Sequence, residues 1–346
     1  MDNRLAIGVD IGGTNIRAAL VDLETGEVKG DIKRRLTYDA EHRAIIDALK
    51  EEGYMFNTRF LPSLKKERLL NHSLQNILAT IDDILFTIVR SSVVGIGIGC
   101  PGPLNPVSGI IGETDIYLPP NLYGWDNVGL VNIIRNHTSL PTRLNGDVRV
   151  MALGEYHFGA AQGSSSFMMI VPGTGLGCGI VEDGIVKDGK YHTVGEVWKI
   201  PVLRKQGLGY KTLDYYGSID GIRRIFEEET KLDRLVFQDD LKKQGFSEGY
   251  TTETIVGLAY VPLYLHNVLI TAVIQEYGRV LGLGLVGPLA ALNAEKLVIG
   301  GTGARHLPLY KSTLVLALEQ HLTYPIEVTP ATLSEPGIIG AACLFK

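Results

Sequence analysis

Three glycine clusters, each directly after an apolar run of strand length, limit what this chain can fold into more than any other feature. They are Asp10-Ile-Gly-Gly-Thr-Asn-Ile-Arg17, Gly173-Thr-Gly-Leu-Gly-Cys-Gly179 and Gly300-Gly-Thr-Gly303. Glycine has no side chain to shield backbone amides, so such a loop makes a concavity that accepts an anion. A helix beginning behind the loop strengthens the effect. One cluster alone reads as a plain turn; three in one chain point to phosphate binding. Glycine is 41 of 346 residues, about 12% against a usual level of about 7%.

The runs between the clusters give an α/β pattern. Leu5–Asp10, Ile16–Asp22 and Val28–Arg34 are expected strands of an antiparallel start. Residues 38–63 have no clear period and are expected as a variable loop or short helices. Apolar spacing predicts a helix over 65–90, a strand over Val93–Gly99 and a helix over Asp147–Gly159. Strands follow at Phe167–Val171, Cys178–Val181, Lys296–Ile299 and Ile326–Val328, and helices over 254–292, Leu307–His321 and Gly337–Phe345. Strands and helices mix in both halves, so a duplicated architecture is expected.

Composition narrows the function. With 45% hydrophobic and 21% charged residues the chain is not a disordered one. A net charge of −5 argues against nucleic-acid binding. Three cysteines (Cys100, Cys178, Cys343) are too few for a disulfide scaffold or a four-cysteine zinc site. We read no leader and no apolar run of about 20 residues, so the expectation is a cytoplasmic protein without a membrane span. Two motif matches fail on context. Gly184–Lys190 nearly spells a P-loop, but Tyr191 stands where Ser or Thr is needed; a hairpin turn over Glu182-Asp183-Gly184 explains it. Gly97-x-Gly99-x-x-Gly102 and Gly282-x-Gly284-x-x-Gly287 spell a dinucleotide fingerprint, but neither joins a strand to a helix.

The first cluster resembles the phosphate loop of the sugar-kinase, heat-shock ATPase and actin superfamily. An ordered set of blocks resembles the ROK family of sugar kinases and repressors in particular. These are Gly95–Pro103, Asn121-Leu-Tyr-Gly-Trp125, Asp147 with Ala152-Leu-Gly-Glu155, Gly173–Gly179, Gly195-Glu196 and Ile299–Gly303. The resemblance implies two ribonuclease-H-like domains around a central cleft, expected here as 1–143 plus 333–346 and 144–332. It implies an ATP-dependent carbohydrate kinase, glucokinase-like or acting on an N-acetylated hexose. The alternative is a non-catalytic sugar or nucleotide sensor on the same fold. The repressors' DNA-binding module is not expected, because the first loop begins at Asp10.

Residue by residue, the resemblance implies that Asp147 is the general base. Gly12, Gly13, Thr14, Arg17, Gly173, Thr174, Gly175, Gly300, Gly301, Thr302 and Gly303 would bind ATP, and Asp10 would hold Mg²⁺. Pro101, Gly102, Asn121, Asn145, Glu196, Lys199, Arg149 and Asp214 would line the sugar side, with Trp198 offering an apolar face. Plainer readings stay open: Asp147 as a helix N-cap, Glu196 as an ion-pair partner of Lys199. The chain departs from the family pattern on the sugar side. Gly146 and Arg149 replace asparagines, Lys199 replaces a histidine, and residues 203–213 lack the cysteines of the family's zinc block, so no structural zinc is expected. Arg149 and Lys199 could receive an anionic sugar or could neutralise nearby acids. Helices 307–321 or 337–345 could pair two copies in a homodimer.

Overall fold

The computed structural model describes residues 4–51, 66–113, 118–205, 207, 209–230, 251–260 and 267–346. Parts of the expectations for 38–63, 65–90, 203–213 and 254–292 therefore lie outside the described residues. In chain order, β1 (Leu5–Ile11), β2 (Asn15–Asp22) and β3 (Val28–Leu36) lead into α1 (Ala40–Glu51), α2 (Lys66–Leu85) and β4 (Val93–Cys100). The hairpin β5 (Leu104–Asn105) and β6 (Ile110–Ile111) precedes α3 (Leu130–Thr138), β7 (Thr142–Gly146) and α4 (Asp147–Phe158). Next come β8 (Ser166–Pro172), β9 (Leu176–Glu182), β10 (Ile185–Val186), β11 (Pro201–Val202), β12 (Lys211–Thr212), α5 (Leu213–Gly217) and α6 (Gly221–Thr230). The chain ends with α7 (Thr252–Leu258), α8 (Asn267–Leu292), β13 (Lys296–Ile299), α9 (Gly301–Glu319), β14 (Glu327–Pro330) and α10 (Pro336–Ala342).

The duplication is visible in the sheets. The first has the order β3-β2-β1-β4-β7 and the second β10-β9-β8-β13-β14, the same path traced twice. In the first, β1 pairs antiparallel with β2 and parallel with β4, which pairs parallel with β7. In the second, β13 runs parallel to both β8 and β14. The expected turn after Glu182 is there: Glu182 faces Ile185, and Asp183 and Gly184 both have positive φ (50° and 77°), as a two-residue hairpin turn requires.

Contact density divides the chain into one unit of 1–163, 179–194 and 332–346 and another of 164–178 and 195–331, against the expected breaks at 143/144 and 332/333. In the first unit, the two faces of β1 serve two layers, as the period of two dictates. Ile7, Val9 and Ile11 pack with Ile77, Ile81 and Ile84 of α2. Ala6, on the other face, packs with Ile338 and Ala342 of α10. α10 comes so close to the sheet that only glycine fits beneath it: a Cβ on Gly97 would stand 2.5 Å from the Ala341 carbonyl carbon. That is the physical origin of the Gly97 pattern. It also corrects the expectation that 337–345 could pair two copies, because this helix is buried in its own unit.

In the second unit the α8–α9 pair packs behind the sheet. Gly282 lies against Ala317 and Gly284 against Leu213, so this second fingerprint match is also a packing feature. By length and composition Val268–Leu292 could cross a membrane. It carries Glu276 and Arg279, however, and its buried Tyr277 hydroxyl donates to the Gly217 carbonyl at 3.0 Å, as in a core helix. α9 starts at Gly301 rather than Leu307, so the third glycine cluster is the helix's own first turn.

Candidate functional site

In the first unit, Asp10 pairs with Gly99 across β1–β4, and Gly99 and Cys100 pair with Asn145 and Gly146 across β4–β7. Three parallel strands thus end in one row, with Asp10 at one end and Asp147 just beyond the other. Asp147 turns back toward the middle strand, its Cα 3.6 Å from where a Gly99 Cβ would stand. Carboxyl ends of parallel strands are where open α/β sheets bind ligands. The Cys100 thiol reports the same arrangement. Its pKa is pushed up by burial first and then by Asp147 and Asp10.

Asp10 is 5% exposed. Its Oδ2 accepts from Arg17 Nη2 at 2.5 Å, and Arg17 Nη1 donates to Glu335 Oε2 at 2.6 Å. Arg17, expected on the nucleotide, links the Asp10 carboxylate to Glu335 at the start of α10. A Cβ on Gly337 would stand 2.7 Å from the Asp10 carboxyl carbon, so the fit there is close. The Gly12–Thr14 loop is tied back by its carbonyls. Thr37 Oγ1 donates to Gly12 O at 2.6 Å, Thr37 N to Thr14 O at 3.0 Å, and Arg43 to Gly13 O at 3.4 Å.

Asp147 is the first residue of α4; the cap is Gly146, so the plain N-cap reading is off by one. Its Oδ1 accepts from Val148 N at 2.8 Å. The carboxylate therefore sits at the positive end of the helix dipole. Two residues on, Arg149 is 6% exposed. Nη1 pairs with Asp188 at 3.2 Å, and Nη2 donates to the His192 and Val194 carbonyls, each at 2.8 Å. Asn145 Nδ2 donates to the other Asp188 oxygen at 3.2 Å. Arg149 and Asn145 thus both grip the 188–194 loop. The anion-receiver expectation for Arg149 is corrected: its donors face protein acceptors, which compensate the buried charge. Asn121 enters through its main chain, whose carbonyl accepts from the Tyr38 hydroxyl, while His42 Nε2 lies 3.1 Å from the Tyr123 carbonyl. Pro101 and Gly102 follow β4 directly.

In the second unit, Ile299 pairs with Ile170, and Gly300 N donates to Ile170 O at 2.8 Å. The Gly173–Gly175 and Gly300–Gly303 clusters therefore leave the ends of adjacent parallel strands side by side. A Cβ on Gly303 would meet the Pro172 ring at 2.7 Å. Glu196 accepts from the Trp198 indole N–H, and Lys199 lies 4.8 Å from the Trp198 ring centre. Trp198 is thus a polar partner as well as an apolar face. Asp214, expected on the sugar side, accepts through Oδ1 from Leu176 N at 2.7 Å. Burial raises its pKa; the Leu176 amide and Arg224 oppose this.

Among the described residues no three His, Cys, Asp or Glu side chains form a metal cage. Mg²⁺ does not need one, since it binds through one or two carboxylates, waters and substrate phosphates. A buried strand-end carboxylate beside a glycine loop, as Asp10 is, suits that mode.

The family model for the ROK family matches residues 62–346. This chain belongs to the ROK family. As a ROK protein it is 28% identical to the glucokinase of Halalkalibacterium halodurans, over 100% of this chain and 96% of that one. It is also 26% identical to the DNA-binding transcriptional dual regulator NagC of Escherichia coli, over 86% of this chain and 70% of the regulator. A ROK glucokinase from Streptomyces griseus, solved with glucose and AMPPNP, superposes with a TM-score of 0.68 at 22% identity, covering 98% of each chain. The fold is the actin-like ATPase fold of ROK sugar kinases.

Several residues around the candidate site carry no signal in the sequence. Tyr38 and His42 hold the Asn121–Trp125 block from a stretch with no periodicity, and Thr37, just before that stretch, holds the first glycine loop. Asp188 and Glu335 become informative only through partners 39 and 318 positions away. No local signal marks such pairs.

Proposed function

We propose that this ROK protein is an ATP-dependent sugar kinase with Asp147 as general base. The observation that carries the reading is the strand-end row, in which Asp10 and Asp147 flank β4 on one edge of one sheet. Phosphoryl transfer depends chiefly on positioning and charge stabilisation, and the residues divide accordingly. Amides of Gly13, Thr174 and Gly175 would donate to phosphate oxygens, while Gly12 N and Gly173 N close their own loops by donating to Asn15 O and Gly175 O, each at 2.9 Å. Gly300–Gly303 would pack the nucleoside. Asp10, held by Arg17, would bind Mg²⁺, which when present neutralises phosphate charge. Asp147 would accept the proton of the attacking hydroxyl, a step typically contributing about 10²–10⁴-fold. Glu196 and Asn145 would orient the sugar. Chemistry with ATP fits a cytoplasmic protein.

The altered sugar side favours no loss of function by itself. Arg149 replaces a family asparagine, yet its charge is compensated by Asp188 rather than directed at Asp147. ADP release with Mg-ATP across neutral, N-acetylated and acidic hexoses tests the reading. Stimulation by one sugar class, lost in Asp147→Asn, is expected. Nucleotide binding without sugar-dependent turnover would favour the sensor instead.

A further inference from the structure

The family resemblance assigns Asp214 to the sugar, but its carboxylate lies on the second glycine cluster. α5, which carries Asp214, backs that cluster at three points. Asp214 Oδ1 accepts from Leu176 N at 2.7 Å. Ile219 N, just past the helix, donates to Gly173 O at 3.0 Å. A Cβ on Gly217 would sit 3.1 Å from Leu176 Cδ2. The loop closes on itself through Gly173 N donating to Gly175 O at 2.9 Å, and Asp214 Oδ1 stands 3.2 Å from where a Gly175 Cβ would be. The helix is itself fixed: Thr212 caps it through Tyr215 N at 3.3 Å, and Leu213 N donates to Ile200 O at 2.7 Å.

We infer that Asp214 is a positioning residue for nucleotide, holding Gly173–Leu176 in its phosphate-receiving shape through the Leu176 amide. A glycine loop has many conformations to lose on binding an anion. A fixed carboxylate acceptor removes part of that cost before the nucleotide arrives, which is preorganisation. Asparagine keeps an acceptor oxygen at the same reach, whereas alanine has none.

This inference rests on the kinase reading, and the test separates the two. AMPPNP with Mg²⁺ is titrated calorimetrically into wild type, Asp214→Asn and Asp214→Ala, and exchange of the 173–177 amides is followed without ligand. Asp214→Ala is expected to weaken AMPPNP binding by about tenfold and to speed exchange at Leu176. Asp214→Asn stays within about twofold of wild type on both. Equal binding and exchange in wild type and Asp214→Ala overturn the inference alone. So does an Asp214→Asn as impaired as the alanine, because the negative charge rather than the acceptor would then be what matters. No AMPPNP binding by wild type overturns the nucleotide reading and the inference with it. Asp214→Ser, whose hydroxyl is too short to reach the amide, repeats the comparison if the alanine variant does not fold.

Discussion

Replacing Gly340 by alanine tests the packing that holds Asp147 in place. α10 is wedged between the first sheet and α4. A methyl on Gly340 would overlap the Val150 carbonyl oxygen and lie 2.5 Å from its carbon and 3.1 Å from Gly154 N. Non-bonded carbons prefer about 3.5–4.0 Å, so roughly 1 Å of backbone movement is needed. The sheet side gives no room. A Cβ on Gly8 or Gly97 would already stand 2.8 or 2.5 Å from α10 carbonyl carbons. Overpacking usually costs about 1–3 kcal/mol, and resistance on two sides puts this case at about 3–4 kcal/mol. At about 2–4 °C per kcal/mol, Tm falls by roughly 6–16 °C in thermal denaturation. Val150 lies one turn beyond Asp147, so kcat falls more than KM rises. Gly257→Ala is the control. No atom lies within 4 Å of its added Cβ, and helix propensity stabilises it by up to about 1 kcal/mol. A Gly340→Ala protein melting within about 2 °C of wild type would refute the reasoning.

Three further outcomes follow from the same geometry. Arg149→Met leaves Asp188 and two carbonyls without their cation; Asp188 is partly exposed, so the loss is about 2–3 kcal/mol by chemical denaturation, with the preference between neutral and acidic sugars unchanged. Arg204, buried beside Glu228 at 2.9 Å and near Glu229 and Glu276, ties the chain just after β11 to α6 and α8. Arg204→Met therefore lowers Tm sharply, while EDTA leaves the wild-type Tm unmoved. Burial, then Lys346, holds His157 down to about 4. The unfolded chain binds that proton below about 6.5, so stability falls as pH drops from about 6.5 to 4. Allowing for partial exposure the loss is about 1–2 kcal/mol, and His157→Gln flattens that part of the Tm–pH profile. His42 and His306, also held down chiefly by burial, keep some slope in the same direction.

What the sequence revealed and what it hid have physical reasons. β1, β4 and β13 are buried runs bounded by glycine or proline, so their ends were legible to within a residue or two. The start of α4 at Asp147 was legible too. The glycines at 97 and 282 matched a ligand motif because packing a helix against backbone demands the same residue as approaching a phosphate. The fates of Arg149, Arg17 and Asp214 were not legible. Each is set by a partner brought from elsewhere in the chain, and nothing in spacing reveals which acceptor a buried donor will meet.

Whether phosphate reaches a sugar is the most direct question. Mass spectrometry of a reaction with Mg-ATP and the stimulating sugar reads the answer. The account predicts a sugar phosphate formed in equal amount to ADP by wild type, and none by Asp147→Asn, although that variant still binds AMPPNP. Inorganic phosphate as the sole product, or undiminished transfer by Asp147→Asn, would contradict it.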